Sequence, residues 1–233
     1  MLDVHPPHHP AHTWKDFFIH VGTICVGLLI AVGLEQTVEY FHHRHQAHQL
    51  EDSLLRESLA NQATVLNHLR SIDRLLADFK VNAARLNAAP SSDGSFAFVF
   101  PQHSDLNFFP YSITAWLSVR DSGSLALLPA TTVSNYRHVE DYQDEIRTNI
   151  RDFFATENDA LSLTHLHGDI SYQSPDEKSR LLLAINRLDA LLRHMRSTTL
   201  AFGACNEMAI HGEEVTPTRF FEYEAKFPPP PAP

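Results

Sequence analysis

The sequence predicts an all-α fold, in which an N-terminal single transmembrane helix continues into a three- to four-helix antiparallel bundle. Three observations lead there. Eighteen consecutive residues, FFIHVGTICVGLLIAVGL from Phe17 to Leu34, contain no Asp, Glu, Lys or Arg. Three long intervals, Asp16 to Ala89, Ala130 to Ser174 and Asp176 to Thr216, contain no proline, the residue that removes a donor and clashes inside a helix. Within each interval apolar residues recur in steps of three and four, the spacing of a buried helical seam.

The first element is the uncharged run. At about 1.5 Å per residue its eighteen residues reach roughly 27 Å, against a hydrocarbon core of about 30 Å, so it sits at the short end of the spanning range. Trp14 and Tyr40 lie where interfacial aromatics anchor the two ends. A cleaved signal needs a basic leader and a small-residue cleavage site. The preceding MLDVHPPHHPAHTWKD has one Lys against two Asp, and the run exits into Gly33-Leu34-Glu35-Gln36 with no Ala-x-Ala. An uncleaved anchor over 16–40 is therefore expected, preceded by a disordered His/Pro-rich tail over 1–15. No other run approaches this length, so a single pass is predicted. Lys15 and Arg44 nearly balance across the span, and the expected orientation places the N-terminus in the cytoplasm.

The second element continues the first, because no proline or glycine occurs between Glu35 and Ala89. Gln62, Val65, Leu69, Ile72, Leu76, Phe79, Ala83 and Leu86 form its seam. The middle interval offers Val133, Tyr136, Val139, Tyr142, Ile146, Ile150 and Phe153. The last offers Leu181, Ile185, Leu188, Leu192, Met195, Thr199 and Phe202, opened by Ser174-Pro175-Asp176-Glu177 as N-cap, first-turn proline and capping-box Glu. Between the first two lies SFAFVFPQHSDLNFFPYSITAW. Its FAFVF is expected as an extended aromatic strap, since a lone strand has nothing to pair with. SITAWLSVRDSG reads as a short helix ended by Gly123. The helical extramembrane domain is thus placed at 41–216, and 217–233, ending in FPPPPAP, is expected as an extended Pro-rich tail.

Charge narrows the function classes. Setting aside the one Lys and two Asp before the run, the chain carries 17 basic and 26 acidic residues, a net −9 before His is counted. An acidic domain argues against nucleic-acid binding, which rests on neutralising phosphates. No HExxH, P-loop, GxSxG or dinucleotide fingerprint is present, so neither an enzyme nor a cofactor is expected. THLHGD, Thr164 to Asp169, looks like the His-x-His-x-Asp-His run of the metallo-β-lactamase fold, but Ile170 stands where that run needs its last His. It is read as a coincidence in a loop between helices.

Two sets of residues remain as candidate sites. Thr23, Gly27 and Ala31 recur every four residues, a small-residue face on which two helix backbones approach closely, with His20 near it. That face is the expected docking surface for a second copy or another membrane protein, the lipid bilayer being the first partner. His42, His45 and His48 step by three on the expected helix and are the candidate metal ligands, weighed against a solvated or pH-responsive interfacial segment.

The run WKDFF at Trp14 to Phe18, GLLIAVGLE at Gly27 to Glu35, the following HHRHQ and SITAWLSVRDSGSLALLP resemble a family of uncharacterised bacterial single-pass membrane proteins. The resemblance implies a bacterial inner-membrane protein with a periplasmic helical domain and transfers no site residue. The expected function is an anchored interaction or scaffold module; the alternative is a ligand-, metal- or pH-responsive sensor.

Overall fold

A computed structural model describes residues 14–91, 94–97, 111–162 and 169–228. In chain order they form α1 (Trp14–Ala88), β1 (Gly94–Ala97), α2 (Thr114–Asp121), a 3-10 turn (Ser124–Leu127), α3 (Ala130–Ser162), β2 (Asp169–Tyr172), α4 (Pro175–His211) and α5 (Pro217–Ala225). The chain divides into two compact units, 1–49 and 50–233, with the boundary inside α1. The fold is all-α, as the sequence predicts.

In the first unit, α1 from Trp14 to His45 is exposed at every position. It contains the one helical stretch among the described residues long and apolar enough to cross a membrane.

In the second unit, α1, α3 and α4 are packed through the expected seams. Val65, Leu69, Ile72, Leu76, Phe79 and Leu86 are buried, as are Leu181, Ile185, Leu188, Leu192, Met195, Thr199 and Phe202. Directions follow from cross-helix partners. Near the start of α3, and early in the part of α1 that belongs to the bundle, Ser58 Oγ lies 2.7 Å from Tyr136 Oη, and further along both helices the ring centroids of Phe79 and Phe153 lie 6.4 Å apart. These two helices run parallel. Asn206, near the end of α4, donates to the Ser58 carbonyl at 2.8 Å, and Lys178, near its start, donates to the Ala89 carbonyl at 2.6 Å. So α4 is antiparallel to α1 and, through Asn135 to Glu213 O at 2.8 Å, to α3.

Two parallel neighbours put the end of α1 and the start of α3 at opposite ends of the bundle, so the connection between them has to be long. Its far end is fixed by an amide clamp: Asn61 Nδ2 donates to Ser112 O at 2.7 Å, and Ser112 N donates back to Asn61 Oδ1 at 3.0 Å.

Besides the parallel α1–α3 pair in a bundle expected to be antiparallel throughout, the structure corrects the sequence reading in two places. Gly94–Ala97, overlapping the expected aromatic strap, is a strand, and it pairs antiparallel with Asp169–Tyr172 in the register Gly94↔Tyr172 to Ala97↔Asp169. The partner is hidden in the sequence because DISY, although it alternates polar and apolar residues, is only four residues long and adjoins THLHGD, which reads as a loop. Phe98 to Phe100, His165 and His167 lie outside the described residues.

The second correction concerns 217–225, which is helix α5 and not extended tail. Thr216 is its N-cap, accepting from Arg219 N at 3.4 Å, and Pro217 occupies the first turn, where a missing N–H costs nothing. A proline that looks like a stop is here a start.

Gly203 makes the α5 seat. A Cβ at this position would fall 2.8 Å from Tyr223 Cζ and closer still to its hydroxyl. Gly203→Ala is therefore expected to destabilise the bundle by about 1–3 kcal/mol through overpacking. Thermal melting of Gly203→Ala with and without Tyr223→Ala checks this: the cost of the alanine should shrink when the tyrosine ring is already gone.

Candidate functional site: the exposed apolar stretch of α1 and the polar layers of the bundle

Along the first unit's part of α1, His20, Thr23 and Thr37 satisfy themselves locally. His20 Nδ1 lies 2.9 Å from the Asp16 carbonyl, Thr23 Oγ1 donates to Ile19 O at 2.9 Å and Thr37 Oγ1 donates to Gly33 O at 2.7 Å. Bonding back to the carbonyl four residues earlier removes most of the cost of a hydroxyl in an apolar medium. His20 and Thr23 thus have local hydrogen-bond partners, and neither needs a neighbouring protein for that reason alone. Gly22, Gly27 and Gly33 have open space on their outer side, with nothing within 4 Å of a Cβ built there. The Thr23, Gly27 and Ala31 face is accessible along its length.

His42, His45 and His48 are all exposed, and among the described residues no three His, Cys, Asp or Glu side chains are placed to hold a metal ion. On one straight helix, steps of three turn each successive side chain by about 60° around the axis, so the outer two diverge while zinc needs its nitrogens at roughly 2.0–2.1 Å. Instead His43 Nε2 lies 3.9 Å from Glu39, and His45 Nε2 lies 3.0 Å from the Gln49 amide nitrogen.

The bundle holds polar layers that the seam did not foretell. Asn206, fully buried, donates to the Ser58 carbonyl at 2.8 Å and to Gln62 Oε1 at 3.1 Å, and Gln62 Nε2 donates to Tyr223 Oη at 3.2 Å. Beside them Tyr111 is sandwiched between His68, 4.8 Å between ring centroids, and Phe202, stacked at 4.0 Å. Burial pushes the Tyr111 hydroxyl far above its ordinary range. Gln143 Nε2 donates to the Tyr111 carbonyl at 2.7 Å.

A third layer surrounds Trp116, which is fully buried. Its Nε1 donates to Glu140 Oε2 at 2.6 Å, and Glu140 also pairs with Arg120. The Glu57 carboxylate accepts from Ser112 Oγ at 2.6 Å and from Ala115 N at 3.1 Å, covering the first turn of α2 as a side-chain cap from another helix. Isolated glutamates in the helical pattern gave no sign of this role.

A shallow cleft of about 640 Å³ between the 3-10 turn and α3 is lined by Leu125, Leu128, Val133, Ser134, Arg137, His138 and Asp141 among others. Among the described residues no hydrogen bond joins Ser134, His138 and Asp141, so these residue types do not constitute a relay.

Cys205 is buried, and burial, with the charge of Asp141 nearby, pushes its thiol up to about 12. The thiolate, the reactive form, is thereby suppressed. Unfolding frees the thiol to ionise at its ordinary 9.0, so this contribution to stability is whole below pH 9 and is lost as pH climbs toward 12. Between about pH 9 and 10 the thiol's share of the loss is expected to approach about 1 kcal/mol, in addition to that from the buried tyrosines, whose unfolded hydroxyls begin to ionise in the same window. Unfolding titrations at both pH values should show it in the native chain and not in Cys205→Ala.

No family model, curated protein or solved structure matches this chain.

Proposed function

We propose that the chain is a membrane-anchored helical interaction or scaffold protein of the bacterial envelope, held in the inner membrane by α1 with its bundle on the periplasmic side. The observation that supports this most is the uncharged stretch Phe17 to Leu34, every residue of which is exposed on a single helix while the bundle beyond Leu50 has its own core. A soluble helix of this composition would hide its apolar face against a partner element. Burying about 25 cal/mol per Å² of apolar surface in lipid is the alternative that leaves no such surface in water.

In this reading the bilayer is the first partner, and the Thr23, Gly27 and Ala31 face is where a second copy or another membrane helix docks. Close backbone approach at small residues supplies packing where the hydrophobic effect supplies none. The bundle surface then holds the extramembrane partner, without catalysis. Orientation and compartment rest on the family resemblance.

Compartment-specific reporters fused to each end, combined with cross-linking in the native membrane, test the reading. A periplasmic C-terminus and a defined cross-linked partner are the expected results. A cytoplasmic C-terminus reverses the orientation, and a chain recovered wholly in the soluble fraction ends the proposal.

A further inference from the structure

On α4, Thr198 to Asn206 is buried at every position except the half-buried Ala201. A helix that touched only α1 and α3 would bury one side and leave the other wet. The additional cover comes from α5. Leu200, Ala204 and Met208, which step by four and so form one row, share a core cluster with Tyr223, against which Phe220 and Phe227 also pack. Tyr223 fits beside Gly203, where any side chain would collide with it.

Polar ties close the arrangement. Lys226 Nζ bonds Glu207 at 2.5 Å, and Gln62 reaches the Tyr223 hydroxyl. The farthest tie is Arg196, itself almost fully buried. Its Nε bonds Asp73 at 2.8 Å, while its Nη2 donates to the carbonyls of Phe227 at 3.0 Å and Pro228 at 3.2 Å. One guanidinium therefore joins α1, α4 and the segment after α5.

The segment is also separable from what it covers. α4 has its own stop, with Gly212 in the left-handed region at φ 65° and Glu213 N bonded to Met208 O at 2.9 Å. α5 has its own start at Thr216 and Pro217. Detaching α5 breaks no hydrogen bond internal to α4. A nine-residue helix is marginal in water by itself, so α5 out of its seat loses its helical protection.

We propose that α5 and the Phe227–Pro228 clasp form a latch that opens as a unit while the three-helix bundle stays folded, with Arg196 as its lock and the α4 surface around Gly203 as what it uncovers. The latch is independent of the membrane reading.

Hydrogen exchange on the full-length chain in detergent tests this. Amides of 217–227 are expected to exchange at least about tenfold faster than those of 198–206, reporting local opening below the global unfolding limit. Arg196→Met, which keeps the side-chain length and removes the fork, is expected to accelerate 217–227 about tenfold further and leave 65–80 of α1 unchanged. Equal protection of α5 and α4 in the native chain overturns the proposal even if the variant fails to fold. So does an Arg196→Met effect spread evenly over the bundle, which would make Arg196 a general core residue.

Discussion

Replacing Leu28 and Leu29 together with arginine is expected to release the chain from the membrane. Each arginine at the centre of a spanning helix costs about 2.5–3.5 kcal/mol on insertion scales, so the pair costs roughly 5–7 kcal/mol. That exceeds the margin a span at the short end of the length range has in hand. Both residues are well exposed and lie outside the unit that begins at Leu50. The bundle's melting transition is therefore expected to be unchanged. Alkaline extraction of membranes followed by quantification of the soluble fraction checks the release, with Leu28→Ala plus Leu29→Ala as the control that stays bound. A double-arginine chain as resistant to extraction as the native one would show that Phe17 to Leu34 does not insert.

Trp116→Ala is expected to be the most damaging single change in the bundle, at about 3–5 kcal/mol. The indole is fully buried, stacks on Tyr136 at 5.7 Å between centroids and donates to Glu140. Its removal leaves a cavity and takes away one of Glu140's partners. Against a total stability of about 5–15 kcal/mol, the variant stands near the limit of folding. Trp116→Phe separates the two contributions: it refills most of the cavity and loses only the donor, at about 1–2 kcal/mol. Denaturant melts of the two variants side by side check this. A Trp116→Phe cost as large as that of Trp116→Ala would mean that the hydrogen bond to Glu140, and not packing, holds α2 in place.

Much of the helical framework was legible without coordinates. The seam over Val65 to Leu86 and the one over Leu181 to Phe202 became the buried faces of α1 and α4, because a 3.6-residue period with a long proline-free run leaves a helix one way to bury its apolar side. Ser174 did cap α4, accepting from Glu177 N at 3.2 Å. Local chemistry also made Gly123 the left-handed residue after α2. The uncharged stretch Phe17 to Leu34 was equally readable as a helix long and apolar enough to cross a membrane, since that depends on composition and length alone.

Other features had no local signature. The β1–β2 pair joins segments more than seventy residues apart, and four-residue strands carry no period of their own. α5 was concealed behind prolines that usually end helices. His42, His45 and His48 satisfied a spacing rule but not the convergence that a metal demands.

The sequence by itself determined the helices, their apolar faces and the uncharged stretch, because these depend on neighbours three and four residues away. Only the tertiary structure decided that α1 and α3 run parallel, that Asn61, Glu57 and Arg196 hold distant backbone, and that α5 seals α4 over Gly203. Those depend on which groups meet across the bundle, and a buried donor such as Asn206 finds its acceptor by position in space, not by distance along the chain.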